Sequence, residues 1–218
     1  MSANNKTKII SIEGNIGSGK STLVEELRQS YDGYTNICFL QEPVNIWDTI
    51  KDTDGTTMLA KFYSNTKKYS FAFQMMAYIS RLSLLKQALS ENYDVIVVER
   101  SMYTDKMVFA KMLYDDKNIE DVEYQIYNKW FMEFISDIPS IFNIYVKTSP
   151  EVAESRVKKR GRQGEVIPLD YLKNCHNYHE NWLNNDTTKL VIDGNVDIEK
   201  NPDIKTLWIE QCKKFIHS

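Results

Sequence analysis

The chain has 218 residues, 42% of them hydrophobic and 26% charged, with a net charge of −3. That length suits one domain, 1–218, with a sizeable core, and the balance is that of an ordinary soluble protein rather than a nucleic-acid coat or a membrane-surface protein. Cys38, Cys175 and Cys212 lie far apart, in neither a disulfide framework nor a zinc spacing, no apolar run reaches membrane length, and the polar start MSANNKTK lacks a secretory core. The expectation is a cytoplasmic or otherwise intracellular protein, an organelle remaining open, with no nucleic-acid and no membrane partner.

Lys8 to Glu13, KIISIE, reads as a buried parallel strand. GNIGSGKST follows, Gly14 to Thr22, and fits Gly-x-x-x-x-Gly-Lys-Ser/Thr, the phosphate-binding P-loop. Glycines allow a sharp turn whose N–H groups point inward at phosphate oxygens. Lys20 reaches the β- and γ-phosphates, and the Ser21 hydroxyl suits Mg²⁺. Ser21 to Ser30 is a helix with Leu23, Val24 and Leu27 on one face, its positive end toward the phosphates.

Ile37 to Leu40 reads as a second strand, which Pro43 ends, leaving Gln41 and Glu42 at its C-terminal edge, where open α/β sheets bind ligands. A short helix is expected from about Thr56 to Tyr63. A long one follows from about Lys68 to Glu91, with Phe71, Met75, Met76, Ile79, Leu82, Leu85 and Leu89 as core. Gln74, Ala77 and Arg81 share a face of that helix, near Phe73; such a face either reads a ligand or meets solvent. Asp94 to Ser101, DVIVVERS, is a third strand ending in Glu99, placed like an acidic Mg²⁺ residue, and Arg100, a donor to carboxylate or phosphate. Asp105 stands near the start of the next helix, Met107 to Tyr114.

Glu120 to Ser136 is a helix whose apolar face, with Tyr127, Trp130, Phe131, Phe134 and Ile135, serves either the core or a dimer surface. Ile141 to Pro150 holds a fourth strand, and Ser149-Pro150 opens another helix. That helix ends in RVKKRGRQGE. Arg156, Lys158, Lys159, Arg160 and Arg162, with Gly161 and Gly164 as flexible points, form either a solvated basic loop or, beside a triphosphate site, a lid that closes over the γ-phosphate. A helix from Pro168 to about Trp182, a fifth strand at Lys189 to Asp193 and a helix from Pro202 to Ile216 complete the alternation. It implies a parallel sheet with helices on both faces. His176 and His179 lack a third ligand and read as structural or surface residues.

Taken together, GNIGSGKST, QEPVNIW, FQMMAYISR, ERSMYTD, TSPEVAESRVKKRGR and IPLDYLKNCHNYHENWL make the chain resemble the deoxyribonucleoside kinases, from about Lys8 to Asp197. The resemblance implies a P-loop kinase fold of class α/β, with a five-stranded parallel sheet and an arginine-rich lid. It implies transfer of the γ-phosphate of ATP, with Mg²⁺, to the 5′-hydroxyl of a deoxynucleoside in nucleotide salvage, by a homodimer. Glu42 matches the general base and Arg100 the arginine that holds it and the 5′-oxygen. Lys20, Arg160 and Arg162 complete the catalytic set, and Ser21 and Glu99 match the Mg²⁺ positions. The nucleotide set is Gly14, Asn15, Ile16, Gly17, Ser18, Gly19, Lys20, Ser21 and Thr22, with Arg156, Arg160 and Asp197. Tyr63 and Glu165 match the pair on the sugar 3′-hydroxyl. Trp47, Phe62, Phe73 and Gln74 match the base pocket. The lid is one residue shorter than the family pattern, which loosens the register of Glu165.

Three positions set base choice in that family, here Ala77, Arg81 and Asp105. They resemble the deoxycytidine/deoxyguanosine kinase set; thymidine-accepting members carry Val, Met and Ala. Asp105 accepts from an exocyclic amine while Arg81 neutralises it, so deoxycytidine and purine deoxynucleosides are expected over thymidine. A nucleoside monophosphate kinase is the rival reading. A nucleotide-binding switch is a further one, although Asn128-Lys129 is followed by Trp130 and Phe131 rather than the guanine signature Asn-Lys-x-Asp.

Overall fold

A computed structural model describes residues 7–162 and 165–218. Gly164, expected as a hinge of the lid, lies outside the described residues. Five strands form one parallel sheet in the order β2-β3-β1-β4-β5. They are β1 (Lys8–Glu13), β2 (Ile37–Leu40), β3 (Val95–Glu99), β4 (Ile141–Lys147) and β5 (Leu190–Asp193). Among the described residues ten α-helical segments connect and follow them: α1 (Lys20–Ser30), α2 (Val44–Trp47), α3 (Met58–Ser64), α4 (Thr66–Ser90), α5 (Met102–Thr104), α6 (Lys111–Asp115), α7 (Asp121–Ile135), α8 (Pro150–Arg160), α9 (Leu169–Leu183) and α10 (Pro202–His217).

Strand alternation assigns the two faces of the sheet. Ile10 and Ile12 of β1 join Val95 and Val97 of β3 under Leu23, Val24 and Leu27 of α1 and Trp208, Cys212 and Ile216 of α10. Ile9, Ile96 and Val98 point the other way, against Tyr78, Leu82 and Leu85 of α4 and Tyr127 and Phe131 of α7. Both faces are therefore buried, as the unbroken apolar strands require. A third cluster, with Trp47, Leu59, Phe62, Phe73 and Ala77, sits above the C-terminal edge of the sheet.

Local signals position these elements. Thr57 Oγ1 accepts from Ala60 N (3.2 Å), Asn65 Oδ1 accepts from Lys68 N (3.1 Å), and Ser149 caps α8 with Pro150 at its first turn. The structure corrects the sequence reading in three places. Val44–Trp47 is a short helix that was not expected. The helix expected at Met107 to Tyr114 begins at Met102, and between α5 and α6 it passes through a π-helical stretch, Asp105–Ala110. Ile79, expected in the core, is 51% exposed.

Candidate active site

The C-terminal ends of the strands open into a cleft of about 1160 Å³. Its floor is the P-loop. Gly14 (φ 148°) and Gly17 (φ 77°) have conformations that side chains rarely adopt, and a Cβ there would come within 2.6 Å of Val146 O and 2.5 Å of Ala153 O. Close backbone contact therefore requires glycine at both. Ile16, Gly17, Ser18, Gly19, Lys20, Ser21 and Thr22 line the cleft. Gly14 and Asn15, expected with them, stand behind its wall. Gly14 O accepts from Arg100 Nη1 (2.8 Å), and Asn15 turns its amide to Leu172 O (2.8 Å).

Lys20 is buried, with Nζ on Asn15 O at 2.7 Å. Burial first, and then the nearby Arg100 charge, push its ammonium down to about 7. A polyphosphate placed beside Nζ would reverse that shift. Between about pH 7 and the higher value in such a complex, binding would take up to about one proton, and affinity would fall about tenfold per pH unit as pH rises. Calorimetry at pH 8 in buffers of different ionisation heat should record that uptake, and Lys20→Met should abolish it. Equal heats in all buffers would contradict it.

Across the cleft from Lys20 lies an ion network. Glu42, just past β2, accepts from Arg81 Nη2 (2.8 Å) and lies 3.4 Å from Arg100 Nε. Arg81 Nε also donates to Asp105 Oδ2 (3.0 Å). Burial pushes the Glu42 carboxyl up, but Arg81, Arg100 and Lys20 together outweigh it and hold it at about 2. Asp105 is 1% exposed, and there burial prevails over Arg81, so its carboxyl rises to about 6. Arg81 itself is held more firmly charged by Asp105 and Glu42 against its burial. Arg100 takes a left-handed backbone (φ 64°), which is costly for a long side chain, and its guanidinium sits over the Phe109 ring at 5.0 Å.

Beyond this network stands an aromatic wall. Phe62 and Phe73 stack with centroids 4.6 Å apart, Trp47 meets Phe73 edge-on at 5.6 Å, and Trp47 Nε1 donates to Ser80 Oγ (2.9 Å). Gln74 Oε1 and Arg81 Nη1 are buried with no hydrogen-bond partner among the described residues, and both residues line the cleft with Ala77 and Asp105. The face carrying Gln74, Ala77 and Arg81 thus meets the cleft rather than open solvent. Tyr63 and Glu165 line the cleft together, and burial followed by the Glu165 charge raises the Tyr63 phenol.

Arg160 Nη2 contacts Glu165 at 2.5 Å, and Arg162 Nη1 lies 3.9 Å from it. Arg156 also lines the cleft, and it donates to Gly194 O (2.6 Å), Val196 O (3.1 Å) and Ser18 O (3.3 Å). It ties the P-loop to the loop after β5, where Asp197 also lines the cleft. Lys159, Arg160 and Arg162 line the cleft from the same side.

Ser21 Oγ donates to Glu99 Oε1 (2.7 Å) at the start of α1. A hydroxyl and one carboxylate are hard oxygens that fit Mg²⁺, which takes its remaining ligands from phosphate and water. Among the described residues no group of three or more His, Cys, Asp or Glu gathers to hold a metal alone. His179 is buried, with Nδ1 on Cys175 O (2.7 Å). The residue that sequence reasoning missed is Glu13, fully buried at the end of β1. Its signal was faint: Ser11 and Glu13 are polar residues on one face of an otherwise apolar strand.

A family model described as deoxynucleoside kinase matches residues 10–217. The chain is 40% identical over 180 residues to a fowlpox virus (strain NVSL) protein named a probable deoxycytidine kinase, covering 81% of this chain and 72% of the relative. It is 34% identical to deoxycytidine kinase 2 of Gallus gallus, over 96% of this chain and 90% of that one. With the mitochondrial deoxyguanosine kinase of Xenopus laevis it shares 31%, over 85% and 76%.

Proposed function

The chain belongs to the deoxynucleoside kinase family, and from that premise we propose that it moves the γ-phosphate of ATP to the 5′-hydroxyl of deoxycytidine or a purine deoxynucleoside in preference to thymidine. The observation that carries this reading is the acceptor end of the cleft. There Arg81 and Arg100 meet Glu42 and Asp105, so two guanidinium groups face two carboxylates. A neutral hydroxyl suits that balance. A monophosphate acceptor needs cations free to neutralise it.

Phosphoryl transfer passes through a loose transition state, so positioning and charge neutralisation dominate. Lys20 and the P-loop amides hold the β- and γ-phosphates. Ser21 and Glu99 would hold Mg²⁺, whose charge offsets that of the phosphates. Arg160 and Arg162 close on the transferring group from the lid, and Asp197 stands at the nucleotide's far side of the cleft. Glu42 is ionised at neutral pH and takes the 5′-proton as the new O–P bond forms and the bond to ADP breaks. Arg100 holds both Glu42 and the 5′-oxygen. Tyr63 and Glu165 take the sugar 3′-hydroxyl, and Trp47, Phe62 and Phe73 wall the base. Gln74, Arg81 and Asp105 meet its polar edge, and Ala77 leaves it room.

Acceptor choice tests this reading. With ATP, deoxycytidine or a purine deoxynucleoside should be consumed and their monophosphates left untouched; phosphorylation of monophosphates alone would establish the rival kinase. No helix of the described residues is long and apolar enough to cross a membrane. The free thiols of Cys38, Cys175 and Cys212 support a reducing, intracellular compartment.

Val122, Ile126 and Trp130 lie four apart along α7 and are 58%, 41% and 43% exposed. An apolar stripe of that kind supports a homodimer. Light scattering should give twice the mass of one chain, and Trp130→Glu should halve it. A wild-type mass of one chain would remove the dimer.

A further inference from the structure

One buried carboxylate stands outside the chemistry above. Glu13 closes β1 on the face shared with Ile9 and Ser11. Its Oε1 accepts from Ser11 Oγ (2.5 Å), Ser101 N (2.9 Å) and Ser101 Oγ (2.8 Å), and its Oε2 accepts from Thr104 Oγ1. All four donors are neutral. Among the described residues Glu13 has no ion-pair partner; a buried carboxylate in that state is costly, and an apolar residue would fill a parallel strand more cheaply.

What it holds gives the reason. Ser101 follows Arg100, whose left-handed backbone puts its guanidinium on Gly14 O and Glu42. Arg100 N donates to Ile12 O (3.1 Å) and Ser101 N to Glu13, so β1 clamps the strained residue on both sides. Thr104 immediately precedes Asp105, where the π-helical stretch begins. Ser101 would ordinarily cap this helix, yet it makes no side-chain cap bond, because its hydroxyl goes to Glu13. One carboxylate thus fixes the turn that carries Arg100 and the helix start that carries Asp105.

We propose that Glu13 is a positioning residue that keeps hydroxyl activation at Arg100 and base reading at Asp105 in register. It touches no substrate, and the inference rests on the roles given to Arg100 and Asp105 above. Thr104→Val keeps the shape and removes the donor to Oε2; Thr104→Ser restores a hydroxyl. Glu13→Gln keeps the volume but turns one acceptor into a donor.

The experiment measures kcat and KM of each variant on deoxycytidine and thymidine, with melting temperature and affinity for a fluorescent ATP analogue. Thr104→Val and Glu13→Gln should lose about tenfold or more in kcat on deoxycytidine and narrow its preference over thymidine by about fivefold or more. Thr104→Ser should recover both, and nucleotide affinity of Thr104→Val should stay within about twofold. Should Glu13→Gln fail to fold, the two Thr104 variants decide alone. Lower stability with unchanged kcat and preference would make Glu13 a structural residue only and overturn the proposal. A wild-type protein that turns over no deoxynucleoside would overturn the function itself, and this inference with it.

Discussion

Glu42→Gln is expected to lower kcat on deoxycytidine by about 10²–10⁴-fold, the range for losing a positioned general base. Glutamine keeps the volume and an acceptor for Arg81 Nη2, so the pocket keeps its shape. It cannot take the 5′-proton. Nucleotide binding changes little by comparison, since the cradle is made of P-loop backbone and Lys20. Steady-state rates beside nucleotide affinities separate the two effects. A kcat within tenfold of wild type would show that Glu42 is not the base. Because three cations hold Glu42 at about 2, it stays ionised well below neutral pH and cannot supply an acidic limb near pH 6.

The second large effect concerns the base edge. Arg81→Met alone strips two buried carboxylates of the cation they share, so that Asp105 must take up a proton and Glu42 keeps Arg100 beside it, which costs up to about 3–5 kcal/mol of stability. Removing the pair together, as Ala77→Val/Arg81→Met/Asp105→Ala, should restore stable folding. It should also raise thymidine relative to deoxycytidine in kcat/KM by about 10–100-fold, because the carbonyl and methyl of thymine no longer face a buried carboxylate. Melting temperatures check the first part and competition between the two nucleosides the second. A triple variant with wild-type preference would contradict the assignment. Asp105 is raised to about 6, so it loses its charge as pH falls through that value. Deoxycytidine turnover should fall on that limb, and the triple variant should lack the limb.

Much of this molecule was legible because its signals are local. The apolar runs at β1, β2 and β5 match the strand boundaries to within a residue, and Thr57, Ser149 and Pro150 mark helix starts through contacts within a few residues. Glu42 and Glu99 could be placed at strand ends from the proline and the charge that end each run. The shape of the cleft was less legible. The π-helical stretch over Asp105–Ala110 packs against α4 and α9, and no periodicity over so few residues announces it. Arg156 looks like its neighbours Arg160 and Arg162 in sequence, but the loop after β5 supplies the carbonyls that hold it. Glu13 was hidden for the same reason, since Ser101 and Thr104 stand 88 and 91 residues away along the chain.

The most direct measurement is a crystal structure of the protein with deoxycytidine and a non-hydrolysable ATP analogue. The account predicts the 5′-oxygen about 3 Å from the Glu42 carboxylate and in line with a γ-phosphate held at Lys20, with the base edge on Gln74, Arg81 and Asp105. A nucleoside whose 5′-oxygen points away from Glu42, or a base edge turned from Asp105, would contradict it.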